Sequence, residues 1–163
     1  VINGEEVGQL SVTGTNDFET IYTDTTRKAL IIVCKNCAMD SKSEISAFAF
    51  YPDSVGFVNE PVFRMDANKI RELSAKSGHH KTSKFQPSAA SIHPVTKKLF
   101  IISSASSQLV IADQNGNPEQ VFELGEKLFP QPEGLTFKND GTMYISNEGV
   151  TAKATVLMFR FKP

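Results

Sequence analysis

Two cysteines, no excess of either charge, no long apolar run and almost no helical periodicity set the first limits on this 163-residue chain. The longest apolar runs, such as Ala29–Val33, fall far short of the roughly 20 residues needed to cross a bilayer as a helix, so membrane insertion by this segment is not expected. Seventeen Lys and Arg against eighteen Asp and Glu leave a net charge of −1. With no long-range field to gather a polyanion, nucleic-acid binding is not expected either. The chain begins at Val1 without an initiating Met, a basic n-region or an apolar h-region, so any export signal is expected to have been removed or never included. There is no G-x-S-x-G elbow, and the histidines that could act as a neutral-pH base are His79, His80 and His93.

The two cysteines form a C-x-x-C, Cys34-Lys35-Asn36-Cys37. A metal site would need two further soft ligands, and a redox motif would need a following helix to lower the thiolate pKa. Neither is evident. The expectation is a strand-end cysteine and a loop cysteine, bridged if the compartment is oxidising.

What is present is strand. Ala29–Val33, Leu99–Ile102 and Leu109–Ile111 are short, β-branched or aromatic, and bounded by turn residues. They also repeat. Asp17–Tyr22 before Leu30–Val33, Gln86–Ser91 before Leu99–Ile102, and Gln131–Thr136 before Met143–Ser146 each read as strand, turn, strand. The turns carry Asp24–Lys28, His93–Lys98 and the tighter Lys138-Asn139-Asp140-Gly141. A third strand follows in every copy, at Ile45–Tyr51, Gln108–Asp113 and Thr155–Phe161. Fourth strands follow in two, at Pro61–Met65 and Glu119–Leu124. Asp66 to Gly78 has an N-cap residue, apolar Ile70 and Leu73 and a terminal Gly, predicting one short inserted helix that ends in an exposed loop at His79-His80.

A recurring strand quartet whose sheets bury their faces only against neighbours is the pattern of an all-β propeller. The expected organisation is one partial propeller domain over 1–163. Residues 1–14 are the outer strand of a preceding blade, 15–84 a blade with the helical insertion, 85–128 a second blade and 129–163 an incomplete final one. The outer-strand reading rests on Asn3-Gly4 before Glu6–Val12, which matches Asn115-Gly116 before Glu119–Leu124. Three incomplete blades cannot close a ring, since propellers have about four to eight. The chain is therefore expected to be part of a six-bladed ring, the remaining blades coming from a separate chain of the same precursor.

Gln131-Pro132-Glu133-Gly134-Leu135-Thr136 and Asp140-Gly141-Thr142-Met143-Tyr144-Ile145-Ser146-Asn147-Glu148-Gly149 resemble the SdiA-regulated family of bacterial propeller proteins, akin in style to NHL-repeat, phytase-like and lactonase-like propellers. Asp17-Phe18-Glu19 and Gln86-Pro87-Ser88 look like the corresponding positions of the preceding blades. Thr20 stands where the pattern places Gly, and Ser88 replaces the acid. The resemblance implies an exported, periplasmic or envelope-associated protein.

Glu19 and Glu133 share one repeat position, at the start of the innermost strand, where side chains approach the central channel. Glu148, with Asn147 beside it, leaves the second strand toward the same end. Converging carboxylate and amide oxygens suit Ca²⁺, so Glu19, Glu133, Glu148 and Asn147 are the candidate metal ligands. The competing reading is structural: these acids accept backbone N–H bonds or pair with Lys35, which aligns with Glu148. The serines of 103–107 read as a strand end and turn. Phe18, Phe85 and Phe129, one before each copy, read as inter-blade packing. The expected function is a non-catalytic propeller module that binds a partner or small ligand at one rim and is stabilised by Ca²⁺. The alternative is a Ca²⁺-dependent hydrolase of the phosphotriesterase, lactonase or phytase type.

Overall fold

The computed structural model describes residues 3–54, 56–78, 83–149 and 153–163. The repeat read from the sequence becomes three antiparallel sheets in chain order. The first comprises β1 (Asn16–Asp24), β2 (Ala29–Cys37), β3 (Glu44–Tyr51) and, along the outer edge of β3, the short β4 (Gly56–Phe57) and β5 (Phe63–Asp66). After α1 (Ala67–Lys76), the second sheet runs β6 (Ala89–Ile92), β7 (Leu99–Ser103), β8 (Gln108–Ala112) and β9 (Pro118–Glu123). The third holds β10 (Pro132–Phe137), β11 (Met143–Asn147) and β12 (Thr155–Phe159). The innermost strand β6 is flanked by β1 on one side and β10 on the other, which places the first strands of the three sheets side by side.

The turns form where the residues demand them. Asp24 accepts from the backbone N–H groups of Thr26 and Arg27 and pairs with the Arg27 guanidinium at 2.6 Å, closing the β1–β2 hairpin. Gly141, at φ +87°, takes the left-handed position of the β10–β11 turn that side chains disfavour. The inserted helix forms as the sequence predicts: Asp66 caps it by accepting from Asn68 and Lys69, and Ile70 is buried. Its buried Ser74 hydroxyl accepts from Gln108 Nε2, tying the helix to the second sheet.

Two apolar clusters hold the sheets face to face. Ile31, Val33, Ala47 and Met65 meet Leu99, Ile101 and Val110 between the first and second sheets. Ile102, Leu109 and Phe129 meet Ile145 between the second and third. Phe85 and Phe129 take part in this inter-sheet packing, Phe129 stacking on Phe159, whereas Phe18 packs edge-on against Phe48 within the first sheet.

The outer strand expected over Glu6–Val12 does not form. Residues 3–15 pair with no strand; instead Gly8 lies close against the rings of Phe50 and Phe57, and Ser11 N–H donates to Asn59 Oδ1. The segment reads like β9, but β9 has β8 to pair with, and this segment lies along no described strand. The His79–His80 loop lies outside the described residues. No described helix is long and apolar enough to cross a membrane.

Candidate functional site

The expected site residues sit at β-bulges. In β1–β2, Phe18 pairs with Cys34 and Thr20 with Val33, which leaves Glu19 as the extra residue of its strand. Asp17 pairs with Asn36, which leaves Lys35 as the extra residue of the other. In β10–β11, Pro132 pairs with Asn147 and Gly134 with Ser146, so Glu133 is again the bulged residue. A bulge re-aims one side chain out of the regular alternation. That is how the same repeat offset sends both acids to the same end of the innermost strands.

Glu19, Glu133, Glu148 and Asn147, together with Lys35 and Ser88, line one pocket of about 600 Å³ at that end. Their environments differ. Glu19 is exposed and bound to Lys35, Nζ to Oε1 at 2.5 Å, and the Glu19 carboxylate holds the ammonium pKa above its ordinary value. Glu133 is more enclosed, and burial pushes its carboxyl up; the Glu19 and Glu148 charges push the same way, while Ser104 and Lys35 oppose them. Glu148 is exposed, anchored by its backbone N–H to Gln131 C=O at 2.8 Å. Asn147 is only 3% exposed. Its amide nitrogen donates to Leu128 C=O and Thr155 Oγ1, but its Oδ1 is buried with no hydrogen-bond partner. A buried acceptor left unmet costs about 1–3 kcal/mol, so the orphaned oxygen calls for a donor or a cation.

Oxygen donors of this kind fit a hard cation. Even so, the carboxylates of Glu19, Glu133 and Glu148 do not bring one oxygen each within 4.8 Å of one another. Among the described residues the group that meets that distance is Cys34, Cys37 and Asp40. Cys34 and Cys37 are joined in a disulfide, so their sulfurs are not thiolate ligands, and Asp40 accepts from Ser46 N–H and Oγ–H.

Sequence reading missed Ser88, Ser104 and Gln131 as pocket residues. Ser88 stands at the offset of the two acids, and its hydroxyl donates to Pro132 C=O at 3.1 Å, stitching the second sheet to the third beneath the pocket. That shared offset was the available signal. His93 lies far from this chemistry, at the opposite end of β6. It is buried, its Nδ1 accepts from Val95 and Thr96 N–H, and its ring packs on Phe100, Phe137 and Phe161. Two donors on Nδ1 put the proton on Nε2, and burial lowers the ring's pKa from its ordinary value, a hydrogen bond with the Gly141 backbone opposing this.

Similar folds are found among solved structures. Hydrazine synthase of Kuenenia stuttgartiensis superposes with a TM-score of 0.53 at 11% identity, covering 88% of this chain and 34% of that one. A structural genomics protein of unknown function from Bacteroides thetaiotaomicron gives 0.55 at 18% identity, covering 86% and 33%. A putative 6-phosphogluconolactonase from Bacteroides uniformis gives 0.55 at 15% identity, covering 91% and 38%. This chain thus spans about a third of the length of those structures, and at such identities the likeness speaks for the propeller fold alone. Among curated proteins none matches. The SdiA-regulated family model matches residues 51–151, more than half of the sequence and most of the second and third sheets, and the chain therefore belongs to the SdiA-regulated family.

Proposed function

We propose that this propeller segment is a non-catalytic binding module whose ligand site is the pocket at the start of the innermost strands, with Ca²⁺ as the resident ion. The observation that carries this is the orphaned, buried Oδ1 of Asn147 beside Glu133 and Glu148. Glu133, Glu148 and Asn147 are the primary oxygen ligands. Glu19, already bound to Lys35, is the outer one. The described histidine, His93, is committed to inter-sheet packing and offers this pocket no base. The disulfide supports an exported or envelope setting, where such bonds persist. Val156 and Met158, exposed on β12, support a further blade docking there from a separate chain of the same precursor.

A Ca²⁺-dependent hydrolase at the same rim is the second reading, favoured by one observation: a pocket carboxyl raised by burial is the kind of group that serves proton transfer. Calcium titration calorimetry on the chain tests the main reading. One ion should bind, and Glu133→Gln should weaken binding at least about tenfold, or about 1.4 kcal/mol. No measurable binding, or binding indifferent to Glu133→Gln, overturns it. Hydrolysis of a phosphotriester or lactone that Glu133→Gln abolishes would replace it with the second reading.

A further inference from the structure

We propose that Lys35 is a tethered cation held in the pocket by the Cys34–Cys37 disulfide, and that it sets the charge a bound ion meets there. The inference takes its ion from the reading above, but its first test needs no ion.

Paired bulges place Lys35. A regular ladder would turn alternate side chains to opposite faces, so Glu19 and Lys35 could not both reach the pocket without an extra residue in each strand. A bulge with nothing around it is free to slide out of register. Here the disulfide spans the bulge, closing Lys35 and Asn36 inside a four-residue loop whose two half-cystines are 1% and 6% exposed. The loop is tied down on either side: Asn36 Oδ1 accepts from Lys84 Nζ at 3.2 Å, and Ala38 N–H donates to Thr15 C=O. Asp40 sits within 4.8 Å of both sulfurs. A neighbouring carboxylate disfavours the thiolates through which exchange would proceed, which suits a lasting clamp better than a redox switch.

The consequence is electrostatic. Lys35 is bonded to Glu19 and lies in the field of Asp17 and Glu133, and Glu133 in turn feels Glu19 and Glu148. The pocket therefore presents three carboxylates, those of Glu19, Glu133 and Glu148, with one ammonium fixed among them. A fixed ammonium weakens the pull on a divalent ion without any need to leave, and favours ligands that tolerate a cation at that wall.

NMR relaxation of the Lys35 side chain in the intact chain tests the tether directly. The Lys35 Cε–Nζ end should be ordered, held between the Glu19 carboxylate and the disulfide loop, and Cys34→Ala/Cys37→Ala should free it. A Lys35 end already mobile in the wild type, or still ordered in a folded cysteine variant, overturns the clamp. If the cysteine variant fails to fold, Asn36→Gly decides. It keeps the disulfide while loosening the loop inside it, so retained order sustains the clamp and lost order overturns it. The charge is tested by calorimetry: Lys35→Met should bind Ca²⁺ about three- to tenfold more tightly, and an unchanged affinity overturns that role. Absence of Ca²⁺ binding in both proteins would defeat the proposed function and the charge-setting role with it, while the order of Lys35 would still decide the tether.

Discussion

The first and third sheets carry the same acid at the same bulge and treat it in opposite ways. In the first, Glu19 meets a bulged lysine and is neutralised at 2.5 Å. In the third, the position aligned with that lysine is Glu148, so Glu133 has an acid for a neighbour and its carboxyl is raised instead of paired. Behind Glu133 stands Gly134, where a Cβ would come within 2.2 Å of Ser146 Oγ; behind Glu19 stands Thr20, buried against Val33. One repeat unit has thus become a corner whose acid is paired and the other a corner whose acid is not. A ligand belongs at the second.

Removing the clamp should break this comparison most visibly. For so short a loop, loss of the disulfide should cost about 2 kcal/mol by the chain-entropy estimate. The loss should appear in urea denaturation and in faster amide exchange along β1–β2, with β10–β11 unaffected. Equal loss of protection in both hairpins would show that the two corners are not independent. Next in size, Gly134→Ala forces its Cβ onto Ser146 Oγ and should cost about 1–2 kcal/mol. Adding Ser146→Ala should restore most of it, since Ser146 Cβ would lie at an ordinary 3.5 Å. Failure of that rescue would mean the glycine serves the backbone of the bulge and not the side chain opposite. Thr20→Val should do the reverse in the first sheet. The Thr20 hydroxyl is buried without a partner, so its isosteric removal should raise stability by up to about 1 kcal/mol.

How much of this was legible follows from where the determining contacts lie. The strands, their hairpin turns and the capped helix were readable because each is decided within a few residues, as at Asp66 or Gly141. The shared offset of Glu19 and Glu133 was readable because the repeat keeps it. The bulges were not: a bulge is a mismatch between two strands, and neither Phe18–Thr20 nor Cys34–Asn36 betrays it alone. From the sequence, His93 opens the turn His93–Lys98 and is free to serve as a base. Its burial depends on Phe137 of the third sheet and Phe161 just beyond that sheet, both more than forty residues on. Residues 3–15 carry a strand pattern but lie along no described strand, because pairing needs a partner that the pattern itself does not supply.

The smallest expected effect separates the two ends of β6 by pH alone. Glu133 has a folded pKa above its ordinary value of 4.5, so the native protein holds that proton more tightly than the unfolded chain does. Its contribution to stability therefore falls as pH rises from the unfolded value through the folded one, and is flat above. His93, lowered from 6.5 chiefly by burial, acts with the opposite sign: the unfolded chain takes up the proton first, so stability is lost as pH falls from 6.5 to the folded value. Urea midpoints measured between about pH 4 and pH 8 should thus carry two opposing slopes. Glu133→Gln should abolish the falling one and leave the rising one. His93→Asn, whose Oδ1 can replace Nδ1 as acceptor for Val95 and Thr96, should lower stability throughout but remove only the rising slope. If Glu133→Gln left the acid-side profile unchanged, the acid of the third corner would be as well accommodated as that of the first, and the unmet Asn147 Oδ1 alone would call for a ligand there.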